Sequence, residues 1–249
     1  MGRALAAERV RRDVEVLARA GLDLPTFVEE AMTSLHRAVP FDSVCMGTMD
    51  PSTGLLTGTL KYGSLRGVDE HDHEWGLIEY GSEEPTSFAR LGEQGVLAAG
   101  VRAATVAPPD GSPRVADFML PHFGFGDELR ALCRDDHGRR WAGIALFRLS
   151  DETPFDADEV DYLGSLSGSL ALGVRGGLLA SLAAIGTSPL AGPIVLIVDG
   201  TNRVTRTLNQ RLPSTVCPGY SREYSPRSRA MTSRMPVATA AASEGRSLE

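Results

Sequence analysis

His71-Asp72-His73 is the densest set of metal-ligating side chains in the sequence. Imidazole nitrogens suit zinc and other transition metals, but a pair two residues apart needs further ligands from elsewhere, so the spacing alone reads as solvated loop residues. Cys45 and Cys133 fall in strand-like apolar stretches, where cysteine behaves as a small buried hydrophobe. With Cys217 they form no CxxC pair, which argues against a zinc knuckle or a disulfide framework. Asp135-Asp136-His137 reads as a hairpin tip, and Gly173-Val-Arg-Gly-Gly177 lacks the Lys-Ser/Thr ending of a phosphate loop. The arginine-rich stretch over 221–234 could touch phosphates weakly, yet its composition reads as a solvated tail. No nucleophile beside a base, paired-carboxylate site or zincin helix stands out. No catalytic residue, metal ligand or cofactor is therefore expected.

Composition narrows the partners. The chain has 249 residues, 23% charged and 42% hydrophobic, with a formal charge of −7 and a pI near 5.3. Such a balance disfavours nucleic acid or an anionic membrane surface as the main partner. The N-terminus lacks the apolar core of a secretory signal, and the most apolar long stretch, Leu163 to Ile185, carries Arg175 and many Gly and Ser residues. A cytoplasmic chain that does not enter a membrane is expected.

The elements that must position these residues follow from periodicity. Ala6, Val10, Val14 and Leu17 recur at helical spacing before Gly21, and Pro25 opens a second helix whose face is Leu24, Phe27, Ala31, Leu35 and Ala38 before Pro40. Ser43 to Met49 and Leu55 to Tyr62 read as strands joined by the turn Asp50 to Gly54. Gly63 to Gly111 is irregular, with an acidic patch at Val68 to Glu74; loops and short helices over one sheet face are expected, among them a helix at Pro85 to Leu91 and a strand near Val96 to Ala99. Ser112-Pro113 starts a helix that Pro121 should end. From Glu128, the residues Leu129, Ala131 and Cys133 alternate with Glu128, Arg130 and Arg134 as in a half-buried strand, with Leu132 breaking the period. After the turn Asp135 to Gly138, Arg140 to Leu149 is apolar on both faces and should lie at the sheet centre. Asp156 and Glu159 then cap a long helix with the stripe Leu163, Leu166, Leu170, Val174, Leu178 and Leu182. Its glycines, Gly164, Gly168, Gly173, Gly176 and Gly177, call for close packing against another helix, such as helix one of a second copy, or for a kink. Pro193 to Thr205 reads as a strand, a tight turn and the start of a partner strand, and 211–249 has the composition of a disordered tail.

The element order, with GLDLPTFVEEAMTSLHRAVPFDSVCMGTMDPSTGLLTGTL, FGFGDELRALCRDDHGRRWAGIALFR and PFDADEVDYLGSLSGSL, resembles a GAF domain. More narrowly, it is similar to the GAF-like input region of LuxR-type, helix-turn-helix transcriptional regulators of actinobacteria. The resemblance implies an α+β fold: an antiparallel sheet, terminal helices packed together, and short helices over the other face. It divides the chain into a sensory domain over 1–188, the start of a PAS-like segment over 189–210 and a tail over 211–249. The last 60 residues hold no pair of amphipathic helices joined by a short turn, so DNA binding does not carry over, and a truncated or frame-disrupted regulator is the expectation. On the family pattern an unidentified small-molecule effector would sit among Trp75, Tyr80, Phe88, Phe118, Phe123 and Trp141. Phe123, Asp127 and Glu128 match half of a motif of cyclic-nucleotide-binding GAF domains. The other half is absent, and the two acids are read as holding backbone donors where a loop enters the sheet. His122, a haem ligand by analogy with some sensors of this fold, is read as a polar cap. The expected function is a non-enzymatic sensory module that dimerises through its terminal helices; the alternative is a structural dimerisation or protein-interaction module without a ligand.

Overall fold

The computed structural model describes residues 2–81, 84–103, 112–184, 195–198 and 204–208. The chain separates into two units, Met1–Ser188 and Pro189–Glu249. In the second unit, Val195–Val198 pairs antiparallel with Val204–Leu208, the two expected strands; the tight turn expected between them lies outside the described residues. The predicted tail over 211–249 lies outside the described residues.

The first unit opens with two helices, α1 (Gly2–Arg19) and α2 (Leu24–Leu35). Asp23 caps α2 by accepting from the Thr26 amide at 2.9 Å, and Pro25 sits in the first turn, where its missing N–H has no intrahelical use. Five strands follow as one antiparallel sheet: β1 (Ser43–Met49), β2 (Leu56–Tyr62), β3 (Ala98–Gly100), β4 (Phe125–Arg134) and β5 (Arg140–Leu149). Their order is β2-β1-β5-β4-β3, so β5 is central, as its apolar faces demanded. Val44, Met46, Leu129, Ala131, Cys133, Ala142, Ile144 and Leu146 project to one side. There they form a core with α1, α2, α6 (Ala157–Ser165) and α7 (Ser167–Ala184). The other side is covered by α3 (Asp72–Gly81), α4 (Phe88–Gln94), a π-helical turn at Arg114–Met119 and the short α5 (Leu120–Phe123). This is the expected α+β arrangement of terminal helices on one face and short helices on the other.

The irregular middle holds short helices, as expected: Asp72 and Glu74 of the acidic patch occupy the first turn of α3, where carboxylates favour the positive helix end. Two expectations at the element level need correction. Pro121 does not end a helix but enters the first turn of α5, and Gly124, at φ +76°, ends it instead. The strand β4 is not half-buried, since Glu128 and Arg130 are as inaccessible as Leu129 and Ala131. Leu132, which broke the alternation, packs with Phe88 and Leu91 beneath the cap.

The long helix is two helices that meet at 47°. At the break, the Ser167 hydroxyl donates to the Leu132 carbonyl and accepts from the Arg134 amide, so α7 ties down the end of β4. Two of the glycines of α7 are used in packing within the chain. A side chain at Gly173 would stand 2.0 Å from the Phe27 ring, and one at Gly177 would meet the Leu24 backbone at 2.7 Å. Among the described residues no single helix is long and apolar enough to cross a membrane.

Candidate functional site

Small residues on the cap-facing side of the sheet leave a hollow. Cys45 and Gly47 of β1 and Ala145 of β5 form its floor, α3 crosses above with Asp72, Trp75, Gly76 and Glu79, and Phe88 closes one end. Gly143 makes that closure feasible, because a β-carbon there would lie 2.5 Å from the Phe88 ring. The cavity, partly open to solvent, is about 150 Å³, with Leu56, Thr59, Lys61 and Arg130 completing its wall. Lys61, on β2, is paired with Asp72 and donates to Asp69 at 3.1 Å, which fixes the start of α3 over the sheet. Burial pushes the Cys45 thiol up to about 12, so it stays protonated and unreactive at neutral pH.

Beside the cavity runs a buried ionic network that spacing could not reveal. Arg130 donates from Nη2 to Glu79 Oε2 at 2.6 Å and lays its guanidinium 3.8 Å from the centre of the Phe88 ring. The other Glu79 oxygen accepts the Phe88 amide at 2.8 Å, capping α4. Arg114 reaches Glu128 Oε2 through Nε at 2.9 Å and Nη2 at 2.6 Å, and Nη2 also donates to Thr86 at 2.8 Å. Glu84 accepts from the Ser112 hydroxyl at 2.7 Å and the Arg114 amide at 3.2 Å. Glu79, Glu84 and Glu128 thus face Arg114 and Arg130, a buried set with one carboxylate in excess. Burial works against the Arg130 charge, but Glu79 and Glu128 together hold its pKa above the ordinary value; for Arg114, burial and the neighbouring Arg130 win and lower it. Among the described residues, Arg114 Nη1, Glu128 Oε1, and Arg130 Nε and Nη1 find no hydrogen-bond partner.

The aromatic residues predicted for a pocket divide accordingly. Trp75 and Phe88 line the cavity. Phe118 and Phe123 stand behind Trp75, each ring centre 6.2 Å from it, in the apolar cluster with Phe125 and Phe147. Tyr80 is largely exposed at the rim, where its hydroxyl accepts the Leu56 amide at 2.7 Å. Trp141 is not with them. A register shift near the β4–β5 turn sends it towards the terminal helices, where its Nε1 donates to Asp135 at 3.0 Å and Arg175 of α7 lies over its ring. Asp127 does what was expected, accepting the Phe155 amide at 2.8 Å and the Arg102 amide at 3.3 Å, whereas Glu128 holds Arg114 rather than backbone. Lys61, Glu79, Arg130 and the small floor residues were missed. The one sequence signal for them was the run of small side chains at alternate positions, Cys45, Gly47, Gly143 and Ala145.

No protein-family model and no curated protein matches the chain. Among solved structures it is similar to the A. aeolicus nlh2 GAF domain in an inactive state, at 10% identity and a TM-score of 0.45, covering 70% of this chain and 98% of that one. The GAF domain of a phosphoenolpyruvate-protein phosphotransferase from Coxiella burnetii gives 14% identity and 0.42, over 72% and 98%. Free methionine-R-sulfoxide reductase from Neisseria meningitidis, in complex with its substrate, gives 16% and 0.41, over 72% and 94%.

Proposed function

We propose that the first unit is a sensory module whose cavity takes a small, largely apolar ligand of single-ring size with one polar end. The observation that carries this is the hollow between the small-residue floor and Trp75. At about 150 Å³ it lies below the usual few hundred Å³ of drug-sized sites and matches a cavity able to hold one benzene-sized ring. Lys61, Asp72, Glu79 and Arg130 at its wall supply the polar anchor. The reading is of binding rather than catalysis, and it is supported by Cys45 at the cavity floor being a buried thiol held protonated. On the sequence resemblance, the signal would feed transcriptional control of the LuxR type.

A panel of single-ring metabolites tests the reading by thermal melting and Trp75 fluorescence. A true ligand at about a hundred times its Kd adds roughly 2.7 kcal/mol of stability. That gain should vanish in Ala145→Leu, which fills the floor, and in Gly76→Leu, where a β-carbon meets open space at the roof. Identical shifts in both filled variants and the unaltered chain would rule the cavity out as the binding site.

A second reading, dimerisation through the terminal helices, is favoured by exposed apolar side chains on them. Leu5 and Val16 of α1 are 57% and 68% exposed, and Leu172 and Leu179 of α7 are 41% and 56% exposed.

A further inference from the structure

We propose that His71, Glu74 and His122 form a binding site for a divalent transition metal of the zinc class. The sequence pairs His71 with His73, but the fold separates them: His73 is exposed, while His71 meets His122 from the far side of the cap. The two imidazole centres are 4.1 Å apart, tilted by 42°. One ligand atom each from His71, Glu74 and His122 fall within 4.8 Å of one another. The His71 Nδ1 lies 3.7 Å from Glu74 Oε2. A zinc ion at the usual bond length of about 2.0–2.1 Å would draw these donors together by a small side-chain closure, and water would complete a tetrahedron.

The donor set is chemically apt, two imidazoles and a carboxylate. Its setting also orients it. The His71 ring stands edge-on to Phe118 and Phe123, with centres 6.1 and 5.6 Å away, and His122 lies 5.1 Å from Phe118. Phe118 and Phe123 therefore contact both imidazoles as well as Trp75. Metal held there would clip the start of α3 to α5, two elements otherwise joined through apolar contacts. This site stands whether or not the cavity takes a ligand.

Zinc alone, titrated calorimetrically into the chelator-treated full chain, tests it. Uptake of one ion per chain is expected, weakened at least tenfold by His71→Ala or His122→Ala and unaffected by His73→Ala. Glu74→Gln, an exposed change that does not threaten folding, should also weaken it. In a Trp141→Phe background, zinc should alter Trp75 emission with the same midpoint. An isotherm indifferent to His71, Glu74 and His122, or equally sensitive to His73, would overturn the site, as would zinc uptake that leaves Trp75 emission unchanged.

Discussion

Glu128 and Arg130 show how a side chain's surroundings decide its energetics. Both are fully enclosed, and each holds a partner from another element, so removing Glu128 strips the buried Arg114 of its directly hydrogen-bonded carboxylate and leaves it only Glu84, at 4.0 Å. Breaking a buried pair from one side typically costs about 3–5 kcal/mol, against less than about 1 kcal/mol for a solvent-exposed pair. Glu128→Ala should therefore lose several times more stability in urea unfolding than Glu29→Ala, which removes the exposed partner of Arg66. Alternation along β4 disclosed which residues share a face but not that the polar face is covered, because Glu79, Glu84 and Arg114 come from segments whose pairing no local spacing encodes. The cysteines supply a pH signature. Burial lifts both Cys45 and Cys133 to about 12, whereas an unfolded thiol ionises near 8.5. The folded chain keeps protons that the unfolded chain has shed, so this stabilisation is complete below about pH 8.5 and declines as pH rises from there towards 12. Replacing both by alanine should flatten the fall of the urea midpoint between about pH 8.5 and 10.5. An unchanged slope would mean the thiols are not enclosed as described.

At the scale of elements, the glycines of α7 separate into two kinds. Gly173 lies against Phe27, where a β-carbon would overlap the ring, so Gly173→Ala should destabilise by about 1–3 kcal/mol through overpacking. Gly176 faces open space, and Gly176→Ala should instead stabilise by up to about 1 kcal/mol through helix propensity. Opposite signs in thermal unfolding would establish that α7 docks on α2 by its glycine face; equal signs would contradict that packing. The long periodic elements were legible because their stripes are local: α1, α2, β1, β2 and β5 stand close to where periodicity put them. The cap was harder to read. In α3 the buried contacts of Trp75, Ile78 and Glu79 are made to an aromatic cluster and to Arg130, and Gly76 and Gly81 weaken the helical pattern further. The bend after α6 depends on Ser167 finding the Leu132 carbonyl, a contact known only once the sheet is formed.

For the molecule as a whole, the open question of physical consequence is what covers the outer surfaces of α1 and α7. Leu172 and Leu179 lie seven residues apart, and Leu5 and Val16 eleven, so each pair shares one face of its helix. The inner faces are already committed, Val10 and Val14 to the core and Gly173 and Gly177 to α2, so the exposed leucines are surplus to folding the chain alone. If two copies associate through these faces, sedimentation at micromolar concentration should show a dimer, and melting should rise with protein concentration. Leu172→Glu with Leu179→Glu should yield a monomer whose far-ultraviolet circular dichroism is unchanged, because both side chains project to solvent in the single chain. A chain that stays monomeric at high micromolar concentration, with melting independent of concentration, would leave the cavity as the functional feature and reduce these leucines to ordinary surface.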